Sequence, residues 1–132
     1  MEKKKILIFE DEWDTIKGSF DMANIYAFER HLDFDVKAKS QDASFEKWED
    51  KYGLVFIDIT LAKNTKLDGY NILKKIKEES LIPLNKVVIL TGNSEVVERL
   101  KDMGITENEV TIMYKPLSFD ELSELLKELL KS

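Results

Sequence analysis

A chain of 132 residues with 43% hydrophobic content can bury one genuine core and fits one domain, residues 1–132, rather than two. The formal net charge of −6 and an isoelectric point near 4.9 argue against a nucleic-acid or anionic-membrane surface as its main business, and the absence of cysteine removes disulfides, thiolate chemistry and cysteine zinc sites and fits a reducing compartment. The basic start Lys3-Lys4-Lys5 leads into an apolar run of only Ile6-Leu7-Ile8-Phe9, too short for a signal peptide or a membrane span, so a cytoplasmic chain without a membrane segment is expected.

That first apolar run reads as a buried strand, and it ends at once in Glu10-Asp11-Glu12. Ile16, Phe20, Ala23 and Ala27 then mark one face of a helix running to about His31. Phe34, Val36 and Ala38 alternate with Asp35, Lys37 and Lys39, as in a strand with one wet face at a sheet edge. Phe45, Trp48 and Tyr52 space like a short helix that Gly53 would terminate. Leu54-Val55-Phe56-Ile57-Asp58 follows, four apolar residues of a strand buried on both faces and closed by a single carboxylate.

After a polar loop over residues 60–67, Asp68-Gly69 opens a helix with Ile72, Leu73 and Ile76 inward, and Pro83 lies in the next connection. Val87-Val88-Ile89-Leu90 is the third continuous apolar run and ends in Thr91-Gly92. Ser94 is the expected N-cap of a helix that buries Val96, Val97, Leu100 and Met103 and stops at Gly104. Residues 110–114 form the fifth strand, followed by Lys115-Pro116. Ser118 with Glu121 makes a capping box, and Phe119, Leu122, Leu125, Leu126, Leu129 and Leu130 form the buried stripe of the last helix.

Alternating strands and helices with continuous apolar strands imply an α/β, doubly wound, flavodoxin-like fold: five parallel strands in the order 2-1-3-4-5, with helices on both faces. In that order the connection reverses between strands one and three, and ligands bind in the crevice at their carboxyl ends. Glu10 and Asp11 stand on one lip of it and Asp58 on the other. Three converging carboxylates call for a cation among them, and Mg²⁺ suits an all-oxygen site that keeps waters and leaves room for phosphate. Strand four ends in the Thr91 hydroxyl and strand five in the Lys115 ammonium. Together these residue types suit phosphoryl transfer onto Asp58, with metal and lysine neutralising the charge.

In register along the whole chain, Phe9-Glu10-Asp11-Glu12, Asp58, Asp68-Gly69, Ile89-Leu90-Thr91-Gly92 and Lys115-Pro116 resemble the receiver domain of bacterial two-component response regulators. The resemblance implies that Asp58 is the phosphoacceptor, Asp11 a direct Mg²⁺ ligand, Glu10 a ligand through water and Thr60 a ligand through its backbone carbonyl. It implies that Thr91 and Lys115 bind phosphoryl oxygens, that the Lys115-Pro116 peptide is cis, and that Thr60 and Asn93 tune hydrolysis of the phosphoaspartate. The donor would be a histidine kinase or histidine phosphotransfer protein. The chain would catalyse only its own phosphorylation and dephosphorylation. A single-domain receiver is expected, without a nucleic-acid-binding unit, passing its state to a downstream protein through the surface around strands four and five, where Met103, Met113 and Tyr114 lie.

Several positions depart from that family's pattern. Ala62 stands where a proline is usual, Asp68 lies farther beyond Asp58 than is usual, and Gly92 replaces an alanine. Ile112 occupies the usual aromatic switch position, with Tyr114 displaced to directly before Lys115. The readout is therefore expected in residues 91–94 and 62–67 rather than in a swinging ring. A degenerate receiver, an interaction module without phosphorylation, is the alternative. A flavin-binding flavodoxin is disfavoured because Glu10-Asp11-Glu12 would repel a phosphate, and a haloacid-dehalogenase-type phosphatase because Thr60 stands where a second Asp is needed. Taken singly, the residues have ordinary explanations: Asp58 as a solvated turn residue, Lys115 as a loop cation, the acid run as a helix N-terminus. His31 is read as a helix-end cation or solvated residue, Trp13 and Trp48 as packing or half-buried surface, and Lys63 and Lys66 as solvated.

Overall fold

The computed structural model describes residues 3–62 and 64–131. Lys63, expected to be solvated, lies outside them. Five parallel strands, β1 (Lys4–Phe9), β2 (Leu32–Lys37), β3 (Leu54–Asp58), β4 (Val87–Thr91) and β5 (Thr111–Tyr114), form one sheet in the order β2-β1-β3-β4-β5, as the sequence implied. Among the described residues, four α-helices lie in the connections, α1 (Trp13–Phe28), α2 (Trp48–Lys51), α3 (Gly69–Glu79) and α4 (Val96–Asp102), and α5 (Phe119–Leu129) follows β5.

The continuous apolar strands are explained by a core on each face. Leu7, Phe9, Val55, Ile57, Val87 and Ile89 pack with Trp48, Ile72, Leu73, Ile76, Val96 and Leu100 under α2, α3 and α4. The alternate residues Ile6, Ile8, Leu54, Phe56, Val88 and Leu90 pack with Ile16, Phe20, Ala23, Leu122 and Leu126 under α1 and α5. Strand residues therefore have no wet side to alternate towards. Strand β2 lies at an edge as expected, but its burial does not alternate: after buried Leu32 and exposed Asp33, Phe34, Asp35, Val36 and Lys37 are all half-buried. Among the described residues, no helix is long and apolar enough to cross a membrane.

Several element boundaries differ from the sequence reading. Helix α1 ends at Phe28, short of His31, because Glu29 and Arg30 both turn left-handed and Arg30 N–H returns to the Asn24 carbonyl. The Asn24 side chain then takes both backbone groups of Leu32, starting β2 at once. Ala38 lies past the end of β2 and is exposed. Helix α2 is a single turn that excludes Phe45, although that ring still lies 5.0 Å from Trp48. Extended Tyr52 ends it, so Gly53 is no left-handed cap; a Cβ there would meet Leu130 Cδ2 at 2.9 Å. Ser94 does not cap α4, whose N-cap position is Glu95 without a side-chain bond. Asp68 and Gly69 open α3 as expected, with Asp68 as its N-cap accepting from Asn71 N–H; Ser118 caps α5, accepting from Glu121 N–H, and Gly104 follows α4 with φ +76°. Trp48 is fully buried, Trp13 and His31 are half-buried, and Lys66 is exposed.

Candidate functional site

The carboxyl ends of β1, β3, β4 and β5 converge on one acidic crevice. Asp58 closes β3 with its side chain buried, and Glu10, the residue after β1, is equally buried. Asp11 is exposed at the lip. Carboxylate oxygens of Glu10, Asp11 and Asp58 lie within 4.8 Å of one another, an all-oxygen donor set of the kind a hard divalent cation takes. The residues present therefore fit Mg²⁺.

Thr60 locks the Asp58 carboxylate in place. Its backbone N–H and its hydroxyl both donate to Asp58 Oδ1, at 3.0 and 2.7 Å. On the other side Lys115 Nζ donates to Glu10 Oε1 at 2.6 Å and lies 3.6 Å from Asp58 Oδ2. Glu10 Oε2 in turn accepts from Glu12 N–H. Burial is the main cause that pushes the Glu10 pKa up to about 7, helped by a proton shared with Asp58. Burial also works to raise Asp58, but hydrogen bonds from Glu10 and Thr60, with the Lys115 charge, outweigh it and hold the carboxyl below its ordinary range. Burial works to lower the Lys115 pKa, and the two acids reverse that and raise it. Opposed shifts within one cleft are a feature shared by functional sites and structural ion-pair networks.

Thr91 is at the rim as expected, yet its hydroxyl turns into its own loop, donating to the Asn93 carbonyl and accepting from Asn93 N–H at 3.1 and 3.2 Å. Lys115 N–H binds the Thr91 carbonyl, tying β5 to β4, and the Lys115-Pro116 peptide is cis, as implied. Ile112 is half-buried against the α3 and α4 core, whereas Tyr114 is 47% exposed. Met113 is packed in the α1 and α5 core, and Met103 is partly buried against the opposite core under α2, α3 and α4.

Two features escaped the sequence reading. Gly69 approaches the strand end so closely that a Cβ would lie 2.6 Å from the Asp58 carbonyl and from Ile59 Cα, so glycine is the residue that lets α3 begin there. The lengthened loop is clasped to the short 3-10 turn Ser40–Asp42: Thr65 Oγ1 accepts from Ser40 N–H, Ser40 Oγ accepts from Leu67 N–H, and Gln41 bonds both Asn64 and Lys66 backbone groups. The Asp-Gly pair was a local signal for the first. The clasp joins residues some 25 positions apart, and no local pattern announces it.

No family model matches the chain. A probable transcriptional regulator, ycf27, of Pyropia yezoensis is 25% identical over 131 residues, covering 98% of this chain and 49% of that protein. Its counterpart in Cyanophora paradoxa is also 25% identical over 131 residues, with 99% and 50% covered. The chain thus spans about half the length of the curated relatives it matches. Among solved structures, the receiver domain of Francisella response regulator 1452 superimposes with a TM-score of 0.67 at 23% identity, covering 98% of each chain. A two-component response regulator from Clostridium difficile gives 0.66 at 22%, covering 98% and 97%. The receiver domain of a sensor histidine kinase from Pseudomonas aeruginosa, solved with a magnesium ion coordinated in its active-site cleft, gives 0.67 at 18%, covering 98% and 99%. The chain has the fold of response-regulator receiver domains.

Proposed function

We propose that this chain is a phosphoacceptor of two-component signalling, in which Asp58 is phosphorylated by a histidine kinase or histidine phosphotransfer protein and the altered site changes partner binding. The observation that carries the reading is Asp58 itself: a buried strand-end carboxylate with Glu10 and Asp11 within 4.8 Å and Lys115 at 3.6 Å. An Asp58 oxygen attacks the phosphorus of a phosphohistidine. The new P–O bond forms as the P–N bond breaks, and its electron pair returns to the imidazole nitrogen. Thr60 holds the carboxylate oriented from Oδ1, which leaves Oδ2 on the Lys115 side for attack. Lys115 stabilises the charge gathering on the phosphoryl oxygens, and the Thr91 hydroxyl, once released from Asn93, donates to one of them. Glu10, Asp11, Asp58 and the Thr60 carbonyl would hold Mg²⁺, which neutralises charge on phosphate and carboxylate. The chain acts on no other substrate, and Thr60 and Asn93 stand where they would set the lifetime of the product.

The magnesium-bearing cleft of the Pseudomonas neighbour supports the metal, and the receiver fold supports the kinase and a downstream protein as partners, in the cytoplasm. A second reading, an interaction module without phosphorylation, is favoured by the Thr91 hydroxyl bonding its own loop and by Ile112 at the switch position. Incubation with acetyl phosphate, with Mg²⁺ or with excess chelator, separates the two by intact mass. One phosphoryl group gained only with Mg²⁺ supports the phosphoacceptor; no gain under either condition supports the module.

A further inference from the structure

Helix α4 is short, starts without a side-chain cap and follows an exposed loop, residues 92–95, in which Asn93 bonds both the Thr91 hydroxyl and Glu95 N–H. Buried Val96 and Leu100 seat α4 on the core, and two contacts from α3 hold its outer side. The Arg99 guanidinium lies 3.8 Å from the centroid of the Tyr70 ring, and at the far end of the helix pair Lys77 Nζ donates to the Gly104 carbonyl at 2.6 Å. Tyr70 is itself anchored, because Gly69 before it is wedged against the backbone of Asp58 and Ile59. A chain of contacts therefore runs from the Asp58 strand end through Gly69 and Tyr70 to Arg99 on α4, and back along the loop to Thr91.

We propose that Arg99 and Tyr70 are positioning residues whose stack holds α4, and with it the Thr91 loop, in the arrangement that keeps the Thr91 hydroxyl on Asn93. The inference rests on the reading of Asp58 as phosphoacceptor. Turning Thr91 towards a phosphoryl group requires its two bonds to Asn93 to break and the loop to shift, and the stack, made in the helix at the loop's other end, opposes that shift. A contact made in only one of two states favours that state by its own free energy, so removing it shifts the balance to the other. A guanidinium over a ring face is a contact of a size that makes this measurable.

The test is titration of the full chain with beryllium fluoride, a non-covalent phosphoryl mimic, in Mg²⁺ and followed by amide NMR. Arg99→Ala and Tyr70→Leu should each tighten half-saturation about two- to tenfold, the double variant should gain no more than either single one, and Tyr70→Phe, which keeps the ring face, should stay close to the parent. A contact that served stability alone would leave affinity unchanged or weaken it. Unchanged or weaker binding in both Arg99→Ala and Tyr70→Leu overturns the latch while the phosphoacceptor reading stands. No beryllium fluoride binding by the parent chain overturns both.

Discussion

Lys115 Nζ sits closer to Glu10 Oε1, at 2.6 Å, than to Asp58 Oδ2, at 3.6 Å. The lysine's first partner in this state is the buried acid beside β1, and serving a phosphoryl group on Asp58 requires it to give that partner up. Removing the lysine leaves two buried carboxyls without their cation, and Glu10 then keeps its proton to higher pH. Lys115→Met should therefore lower stability near neutral pH by about 1–2 kcal/mol, below the usual cost because the lysine is partly exposed. Mg²⁺ should restore much of the loss. Urea unfolding with and without the metal measures both.

Mg²⁺ binding should depend on pH through Glu10. Its carboxyl holds a proton up to about pH 7 because it is buried beside Asp58, and a metal ligand must be deprotonated. Apparent affinity should rise with pH up to about 7, by as much as about tenfold per unit, and level off above it. Calorimetric titration between mildly acid and mildly alkaline pH gives the profile, and a flat one would show that Glu10 neither binds nor screens the ion.

Gly69→Ala places a methyl group where 2.6 Å separates it from backbone on β3. Backbone cannot yield as a side chain can, so a loss of about 2–3 kcal/mol is expected, with slower acquisition of phosphate from acetyl phosphate as the Asp58 end of the strand is displaced. Thermal unfolding and the labelling rate measure the two consequences. An unaffected labelling rate would mean that α3 does not position the site.

The sheet order, both cores and the convergence of Glu10, Asp11, Asp58, Thr91 and Lys115 were legible because each depends on local pattern. A short apolar run rich in β-branched residues and bounded by turn signals fits a buried strand, and parallel topology then brings strand ends together. The orientation of the side chains was not legible. Thr91 could be placed at the rim, but nothing local says that its hydroxyl bonds Asn93. The Glu10 to Lys115 bond likewise joins opposite ends of the chain. Ser94 has the chemistry of a cap, and the loop's own Asx bond, Glu95 N–H to Asn93 Oδ1, takes the place of that cap.

Tyr52 and Asp35 offer a test of the fold away from the site. The Tyr52 hydroxyl donates to Asp35 Oδ2 at 2.6 Å, pinning the start of β3 to the edge strand. Burial works to raise the Asp35 pKa, but the bonds from Tyr52 and Lys37 outweigh it and hold the carboxyl below its ordinary value. A carboxylate with a depressed folded-state pKa adds stability above its unfolded value, near about 4, and loses it as pH falls through the folded one. Tyr52→Phe should cost about 1 kcal/mol at neutral pH, and the gap to the parent should close in acid. A gap independent of pH would assign the loss to packing alone.

The most direct measurement is the position of the phosphoryl group. After labelling with acetyl phosphate in Mg²⁺, borohydride reduction converts an aspartyl phosphate to homoserine, and peptide mass spectrometry reads where. Homoserine at Asp58, with no labelling of Asp58→Asn, is the expected result. Reduction at another aspartate, or labelling that persists in Asp58→Asn, would contradict the assignment of Asp58 as the acceptor.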